Sequence, residues 1–298
     1  MSLRVLVTGA GGQLGRSLLK HQPPWIVAFY LDSEMLDITN RDSIAAALHT
    51  YGPHLVINAA AYTMVDKAES DGQRAYLVNE VGPWNLGMLA ESKGIPVFHV
   101  STDYVFSGTA CSSYEEDDET DPINVYGASK LAGESALRMA CSQHVILRTS
   151  WVFSEFGKNF VKTMLNLAAT RSEVGVVGDQ VGSPTSAKSI AEVLWKLAEI
   201  FEARGHLKWG MFHYSGSPAC SWHTFAVEIF KQANELGMLD QTPIVRSILS
   251  KDYPTPAQRP PHAILSNDKL REAYQIKSSD WRTELTLVLL SLREAPRA

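Results

Sequence analysis

The sequence predicts an α/β fold, a doubly wound parallel sheet with a second, smaller α/β lobe after it. Three observations carry this reading. Short β-branched runs alternate with helical patterns through the first half of the 298 residues. Each run is almost continuously apolar, as in strands buried on both faces of a parallel sheet. After Thr149 the alternation breaks into shorter, less regular elements.

Taken in order, Arg4–Thr8, Ile26–Leu31, Leu55–Asn58, Val97–Thr102 and Val145–Thr149 read as strands of four to six residues. Between them the spacing predicts helices over Gly12–Lys20, Asp42–Tyr51, Arg74–Lys93 and Ala128–Ala140. Short connections then give right-handed crossovers. In the second half a helix Phe160–Ala169 and a strand Val174–Val177 lead to the Gly/Pro turn Gln180–Ser186. A long amphipathic helix Ala187–Ala203, a strand Met211–Ser215, a helix capped by Ser221 and running to Leu236, and a strand Ile244–Ile248 follow. Four prolines in Tyr253–Pro261 exclude helix or interior strand there. The expected division is a nucleotide domain over 1–155, joined by returning segments around 174–203, and a smaller lobe from 156–173 and 204–298. The acidic run Glu115–Asp121 reads as a solvated loop.

Composition excludes several classes. Lys plus Arg is 27 against 32 Asp plus Glu, a net charge of −5, so neither a basic nucleic-acid binder nor a polybasic membrane protein is expected. The longest nearly pure apolar stretch, Leu285–Leu292, is far short of a bilayer span. Because Arg4–Val7 already reads as a strand, no signal peptide is expected before the fold. Cys111, Cys141 and Cys220 are odd in number, far apart and in no CxxC pair. That pattern fits a reducing cytoplasm and argues against zinc or a disulfide framework.

The first strand runs straight into Gly9-Ala10-Gly11-Gly12-Gln13-Leu14-Gly15, and a helix follows. Glycines there permit a tight turn and let backbone amides approach a pyrophosphate at the helix N-terminus. Glycines at 9, 12 and 15 make GxxGxxG, which departs from GxGxxG because position 14 is Leu. The strand–loop–helix context supports a Rossmann-type dinucleotide site. Asp32 closes the second strand, where a carboxylate reaches the adenosine ribose hydroxyls. A carboxylate repels a 2′-phosphate and so favours NADH, while Arg41 nearby keeps NADPH open. Asp37, beside Ile38, is a second ribose candidate or the cap of the next helix. The small residues of Asn58-Ala59-Ala60-Ala61 let the backbone approach the nucleotide, or serve packing alone.

Tyr126 and Lys130 are four residues apart and therefore stack on one helix face. A tyrosine near pKa 10 is a poor acid or base at neutral pH. A neighbouring ammonium stabilises the phenolate, so the expectation is a lowered Tyr126 pKa suited to acid–base work. Ser101-Thr102-Asp103-Tyr104 adds hydroxyls at the carboxyl edge of the sheet, where open α/β folds bind ligands.

With these motifs the chain resembles the extended short-chain dehydrogenase/reductases and, within them, the dTDP-4-dehydrorhamnose reductase family. The matching segments are Thr8–Gly15, Asn58–Glu69, Ser101–Gly108, Val125–Glu134, Arg148–Phe153, Gly157–Leu165, Asp179–Thr185 and Tyr253–Pro260. The glycine and Tyr–Lys motifs belong to the whole superfamily, and the last four segments are specific to the reductases. The resemblance implies NADPH- or NADH-dependent reduction of the C4 ketone of dTDP-4-dehydro-L-rhamnose. It implies that Tyr126 is the acid, that Lys130 holds the nicotinamide ribose and tunes Tyr126, and that Thr102 bonds the ketone oxygen. Gly9, Gly12, Gln13, Leu14, Gly15, Asp32, Asp37, Ile38, Ala60, Ala61 and Thr63 would hold the cofactor with Tyr126 and Lys130. Asp103 and Trp151 would line the sugar pocket, and Asn159, Gln180 and Arg259 the nucleotide end. An acidic chain binding a diphosphate needs a local guanidinium, an independent reason for Arg259.

The chain departs from the family pattern at Pro261-His262-Ala263, where Asn-Ser is common. Arg16 and Ser17 supply no carboxylate for the intersubunit metal of some relatives, so no metal is expected there. Two rival readings remain. A sugar-nucleotide dehydratase would carry Glu where Tyr104 stands, and an epimerase would retain its cofactor. A non-catalytic regulatory subunit of the methionine adenosyltransferase type would lack Arg148–Phe153 and Asp179–Thr185, which are present. The expected partner is a dTDP-sugar, with no nucleic acid or membrane, in a monomer or homodimer.

Overall fold

Val5, Leu6 and Val7 have no exposed surface, so the first strand has no face for water and belongs at the centre of a sheet. The computed structural model describes residues 2–294. The first half runs β1 (Arg4–Thr8), α1 (Gln13–Lys20), β2 (Val27–Leu31), α2 (Arg41–Tyr51), β3 (Leu55–Asn58), α3 (Val65–Ala68), α4 (Gly72–Tyr76), α5 (Gly82–Glu91), β4 (Val97–Thr102), α6 (Val125–Ala140) and β5 (His144–Thr149). The second half runs β6 (Val152–Phe153), α7 (Phe160–Ala168), β7 (Glu173–Val177), β8 (Val181–Gly182), β9 (Thr185–Ser186), α8 (Ala187–Arg204), β10 (Gly210–His213), β11 (Cys220–Ser221), α9 (Trp222–Glu235), β12 (Ile244–Ile248), α10 (Asp268–Tyr274) and α11 (Trp281–Glu294).

Six strands form one parallel sheet in the order β10-β5-β4-β3-β1-β2. Alternate residues of each strand face opposite sides. Val5, Val7, Leu55 and Ile57 pack with Leu18 of α1 and with Ile190, Leu194 and Leu197 of α8. Leu6, Val56, Val97 and Ile146 pack on the other side with Ile44, Leu86 and Leu137 of α2, α5 and α6. Helices thus cover both faces, and the register pairs Thr8 with Asn58 and Thr102 with Thr149 at the carboxyl edge. The doubly wound α/β expectation is borne out. A separate apolar cluster joins Phe153, Val161, Phe225, Ile229, Trp281 and Leu285 of the smaller lobe.

Several elements differ from the sequence expectation. Strand β10, expected in the smaller lobe, pairs with β5 and forms the edge of the main sheet. Strand β7, expected among the segments returning to that sheet, instead pairs with β12 in a two-stranded sheet of its own. The single helix expected over Arg74–Lys93 is divided by a π-type widening at Leu77–Val81. Pro83 has no N–H to donate to the Asn79 carbonyl four residues back, so that carbonyl is released from the helical ladder. It lies against Gly133 of α6, where a Cβ would collide with it. The apolar stretch Leu285–Leu292 is part of helix α11, with Leu285, Val288 and Leu289 buried. Short helices α3 and α10 carry too few residues for a periodic signal. Among the described residues, no helix is long and apolar enough to cross a membrane.

Candidate active site

The carboxyl edge of β1, β3, β4 and β5 opens into a cleft of about 1050 Å3. Gly9, Gly12, Gln13, Leu14, Asp32, Asp37, Ile38, Ala60, Ala61 and Thr63 line it at one end. Thr102, Asp103, Tyr126, Lys130 and Trp151 line it further along. Fifteen of the residues singled out from sequence therefore meet in a single cavity, including both members of the Tyr–Lys pair.

The glycine loop fits a dinucleotide. Gly9 has φ +68°, and a Cβ on it would lie 2.6 Å from the backbone N of Ala60. Gly15 packs under the loop rather than lining the cleft, and a Cβ there would strike the Gly9 carbonyl. The loop can therefore close tightly beneath a ligand. Gly12 caps α1 without a side-chain hydrogen bond, which leaves the first-turn N–H groups available to an anion. Two further donors await a partner. The hydroxyls of Ser101 and Thr149, both cleft residues, are buried and have no hydrogen-bond partner among the described residues. Asp32 is oriented by the backbone N–H groups of Glu34 and Met35, which donate to its Oδ1 at 3.0 and 3.1 Å. Asp37 Oδ1 accepts from Thr39, while Asn40 caps α2 through Asp42 and Ser43. The cap expected of Asp37 is thus performed by Asn40. Arg41 does not line the cleft; Lys67, Arg74 and Lys158 do.

Around the Tyr–Lys pair the structure corrects the electrostatic expectation. Burial pushes the Tyr126 phenol up to about 12, against a smaller opposing effect of its hydrogen bond with Thr102. Lys130 does not bring it down. Burial instead lowers Lys130 to about 8, with Glu134 acting the other way. Lys130 Nζ donates to the Val100 carbonyl at 2.7 Å and lies 3.3 Å from His99 Nε2. Charge pairing was legible in sequence; the depth of burial, which dominates here, was not.

Thr102 donates its hydroxyl proton to Asp103 Oδ1 at 2.9 Å, and Ser150 donates to Oδ2 at 2.9 Å. Burial still raises the Asp103 carboxyl to about 6. Tyr104 sets its ring edge against Tyr126, centroids 5.6 Å apart, so no carboxylate follows Asp103.

Trp151 has φ +46° and lies between two neighbours. Its indole stacks on Trp222 at 3.4 Å and 7°, and Gly182 covers it so closely that a Cβ would fall 2.5 Å from the ring. Trp222 lines the cleft beside it and was missed from sequence. It is one of seven tryptophans, and nothing local marks it apart.

The three residues assigned to the nucleotide end lie outside the cleft wall. Asn159 caps α7 and donates to Gln13 Oε1 at 2.9 Å and to the Ser154 carbonyl at 2.7 Å, tying the glycine loop to the smaller lobe. Gln180 donates to Ser250 at 3.0 Å. Arg259 forms a bidentate pair with Asp66 at 2.6 and 2.8 Å and holds that carboxyl below its usual range.

Comparison with known proteins follows the same lines. Residues 3–294 match the family model of the RmlD substrate binding domain. The chain is 44% identical over 284 residues to a dTDP-4-dehydrorhamnose reductase of Aggregatibacter actinomycetemcomitans, covering 95% of this chain and 97% of that one. A solved dTDP-4-dehydrorhamnose reductase from Clostridium acetobutylicum superposes with a TM-score of 0.90 at 37% identity, over 98% of this chain and 100% of the other. One from Bacillus anthracis, in complex with NADP, gives a TM-score of 0.91 at 34% identity over the same shares.

Proposed function

This chain belongs to the dTDP-4-dehydrorhamnose reductase family, and from that premise we propose how its cleft divides the work. The chain is an oxidoreductase that reduces the C4 ketone of dTDP-4-dehydro-L-rhamnose to dTDP-L-rhamnose with NADPH or NADH. The regulatory-subunit reading is not favoured, because full-length relatives are reductases. The observation that carries the assignment of roles is the Tyr126 side chain facing the cleft one helical turn from Lys130.

When bound, the nicotinamide supplies the hydride. Tyr126 supplies the proton. Titrating at about 12, it is protonated at any physiological pH and gives its proton to the C4 oxygen as negative charge develops there. The Lys130 ammonium stabilises the phenolate that remains. Thr102 turns its hydroxyl from Asp103 toward the same oxygen, an electrostatic contribution aimed at developing charge. Asp103, Trp151 and the stacked Trp222 shape the sugar end. The loop from Gly9 to Gly15, with Asp32, Asp37, Ile38, Ala60, Ala61 and Thr63, holds the dinucleotide. Asn159 and Gln180 act by holding the walls in place. Arg259 serves the substrate diphosphate from its pair with Asp66. The free thiols Cys111, Cys141 and Cys220 suit work in a reducing cytoplasm, and the proposed state is a monomer or homodimer.

The test is consumption of NADPH or NADH dependent on dTDP-4-dehydro-L-rhamnose, with the product identified by chromatography. Tyr126→Phe is expected to lose about 10²–10⁴-fold in kcat, with cofactor affinity nearly unchanged. A folded wild-type protein that turns over with neither cofactor would refute the assignment.

A further inference from the structure

His99 is fully buried on β4, and the reaction as derived above makes no use of it. Both ring nitrogens have a single partner. Nδ1 lies 2.9 Å from Asn58 Nδ2, and Nε2 lies 3.3 Å from Lys130 Nζ. Asn58, on β3, is itself fixed. Its Oδ1 accepts the backbone N–H of Ala60 at 3.2 Å and the hydroxyl of Thr8 at 2.6 Å.

A backbone N–H cannot reverse its role, so Asn58 keeps its oxygen toward Ala60 and its amide NH₂ toward His99. His99 Nδ1 must then accept. A neutral imidazole has one proton, and with Nδ1 accepting, that proton is on Nε2. Nε2–H points at Lys130. An ammonium there would oppose one donor with another, whereas an amine accepts the bond through its lone pair and still donates to the Val100 carbonyl. Resting on the roles assigned above to Tyr126 and Lys130, we infer that His99 is a positioning residue whose Nε2–H donates to Lys130 Nζ and favours its amine form. The backbone amide of Ala60, just after β3, thereby reaches Lys130 through two side chains, Asn58 and His99.

Burial already lowers Lys130 to about 8, with Glu134 acting the other way; the His99 donor acts in the same direction as burial. The titratable groups around Lys130 are Tyr126 and Glu134 on its own helix and His99 on β4. Arg148 on β5 pairs with Glu134. Glu134 favours the ammonium, and His99 opposes it.

The tautomer can be read directly. In protein labelled with ¹⁵N-histidine, long-range proton–nitrogen correlation should show a pyridine-type Nδ1 and a pyrrole-type Nε2 for His99, assigned by its loss in His99→Gln. A proton on Nδ1 overturns the inference, whether or not the protein turns over dTDP-4-dehydro-L-rhamnose. The pH profile of kcat gives the second reading. If activity falls as Lys130 loses its proton, removing the opposing donor should move that alkaline limb upward. His99→Met is expected to shift it by about one pH unit, a tenfold change in proton affinity. His99→Gln, whose amide can accept from Asn58 and donate to Lys130, should keep the limb near its wild-type position. A uniform loss of kcat with an unmoved limb in His99→Met would mean a merely structural role and overturn the proposal. Should that variant fail to fold, Asn58→Asp replaces the donor to Nδ1 by an acceptor without changing volume. It should move the tautomer to Nδ1–H and the limb upward; an unchanged tautomer in that variant also overturns it.

Discussion

The carboxyl of Asp103 makes a sharp test of how burial is used in this cleft. Its folded-state pKa is raised from 3.8 to about 6, with burial the largest cause and hydrogen bonds from Ser150 and Thr102 opposing it. A carboxyl raised in this way is comfortable when neutral. The native state has no penalty below pH 3.8, loses stability as pH rises through 4 to 6, and bears the full cost above about 6. That cost is about 3 kcal/mol at most for a shift of this size. Asp103→Asn keeps the shape and removes the charge; Ser150 or Thr102 can turn its hydroxyl to accept the new amide proton. Urea unfolding at pH 7.5 should therefore show the variant more stable than wild type by up to about 3 kcal/mol. At pH 4 the advantage should shrink toward zero, because the wild-type carboxyl is then protonated too. Activity should fall, since the residue lines the sugar end of the cleft. A variant less stable at pH 7.5, or a difference independent of pH, would refute the argument that an ionised Asp103 strains the fold.

Three other outcomes are expected. Glu134→Gln leaves Arg148 buried without its partner, from a pair at 2.7 Å with side chains 2% and 4% exposed; urea unfolding should show a loss of about 3–5 kcal/mol. Gly182→Ala places a methyl 2.5 Å from the Trp151 indole and must displace it from Trp222. KM for the sugar nucleotide should rise about tenfold, roughly 1.4 kcal/mol, while cofactor affinity measured by fluorescence titration holds. Asp32→Ala removes the carboxylate that repels a 2′-phosphate, so the ratio of kcat/KM for NADPH over NADH should increase, by about tenfold.

Much of the fold was legible because its signals are local. Continuous apolar runs give the central strands to within a residue, and i, i+4 spacing gives the shared face of Tyr126 and Lys130. What was not legible depends on partners distant in the chain. The widening at Leu77–Val81 needs Gly133 to receive the Asn79 carbonyl, and no window of sequence contains both. A four-residue strand such as β10 can join either sheet, and only its register with β5 decides. The chemistry of Asn159 and Arg259 by itself points to ligand contacts. Gln13 and Asp66, which they bond across more than 140 residues, are invisible to spacing. Trp222 and His99 belong to the same class: each is defined by the ring or the lysine nitrogen it meets.

The reversal at Tyr126 bears on the direction of the chemistry. Sequence reasoning weighed the Lys130 charge and expected a lowered phenol; burial outweighs that charge and raises it to about 12. At pH 7 such a phenol is ionised in about one molecule in 10⁵. A catalyst that must begin as a base would almost never be ready in this cleft, whereas one that begins as an acid is always ready. The unliganded site therefore holds Tyr126 in the proton-donating form with which ketone reduction starts. The burial of Tyr126 thus agrees with a reductase, whose tyrosine begins the cycle as an acid.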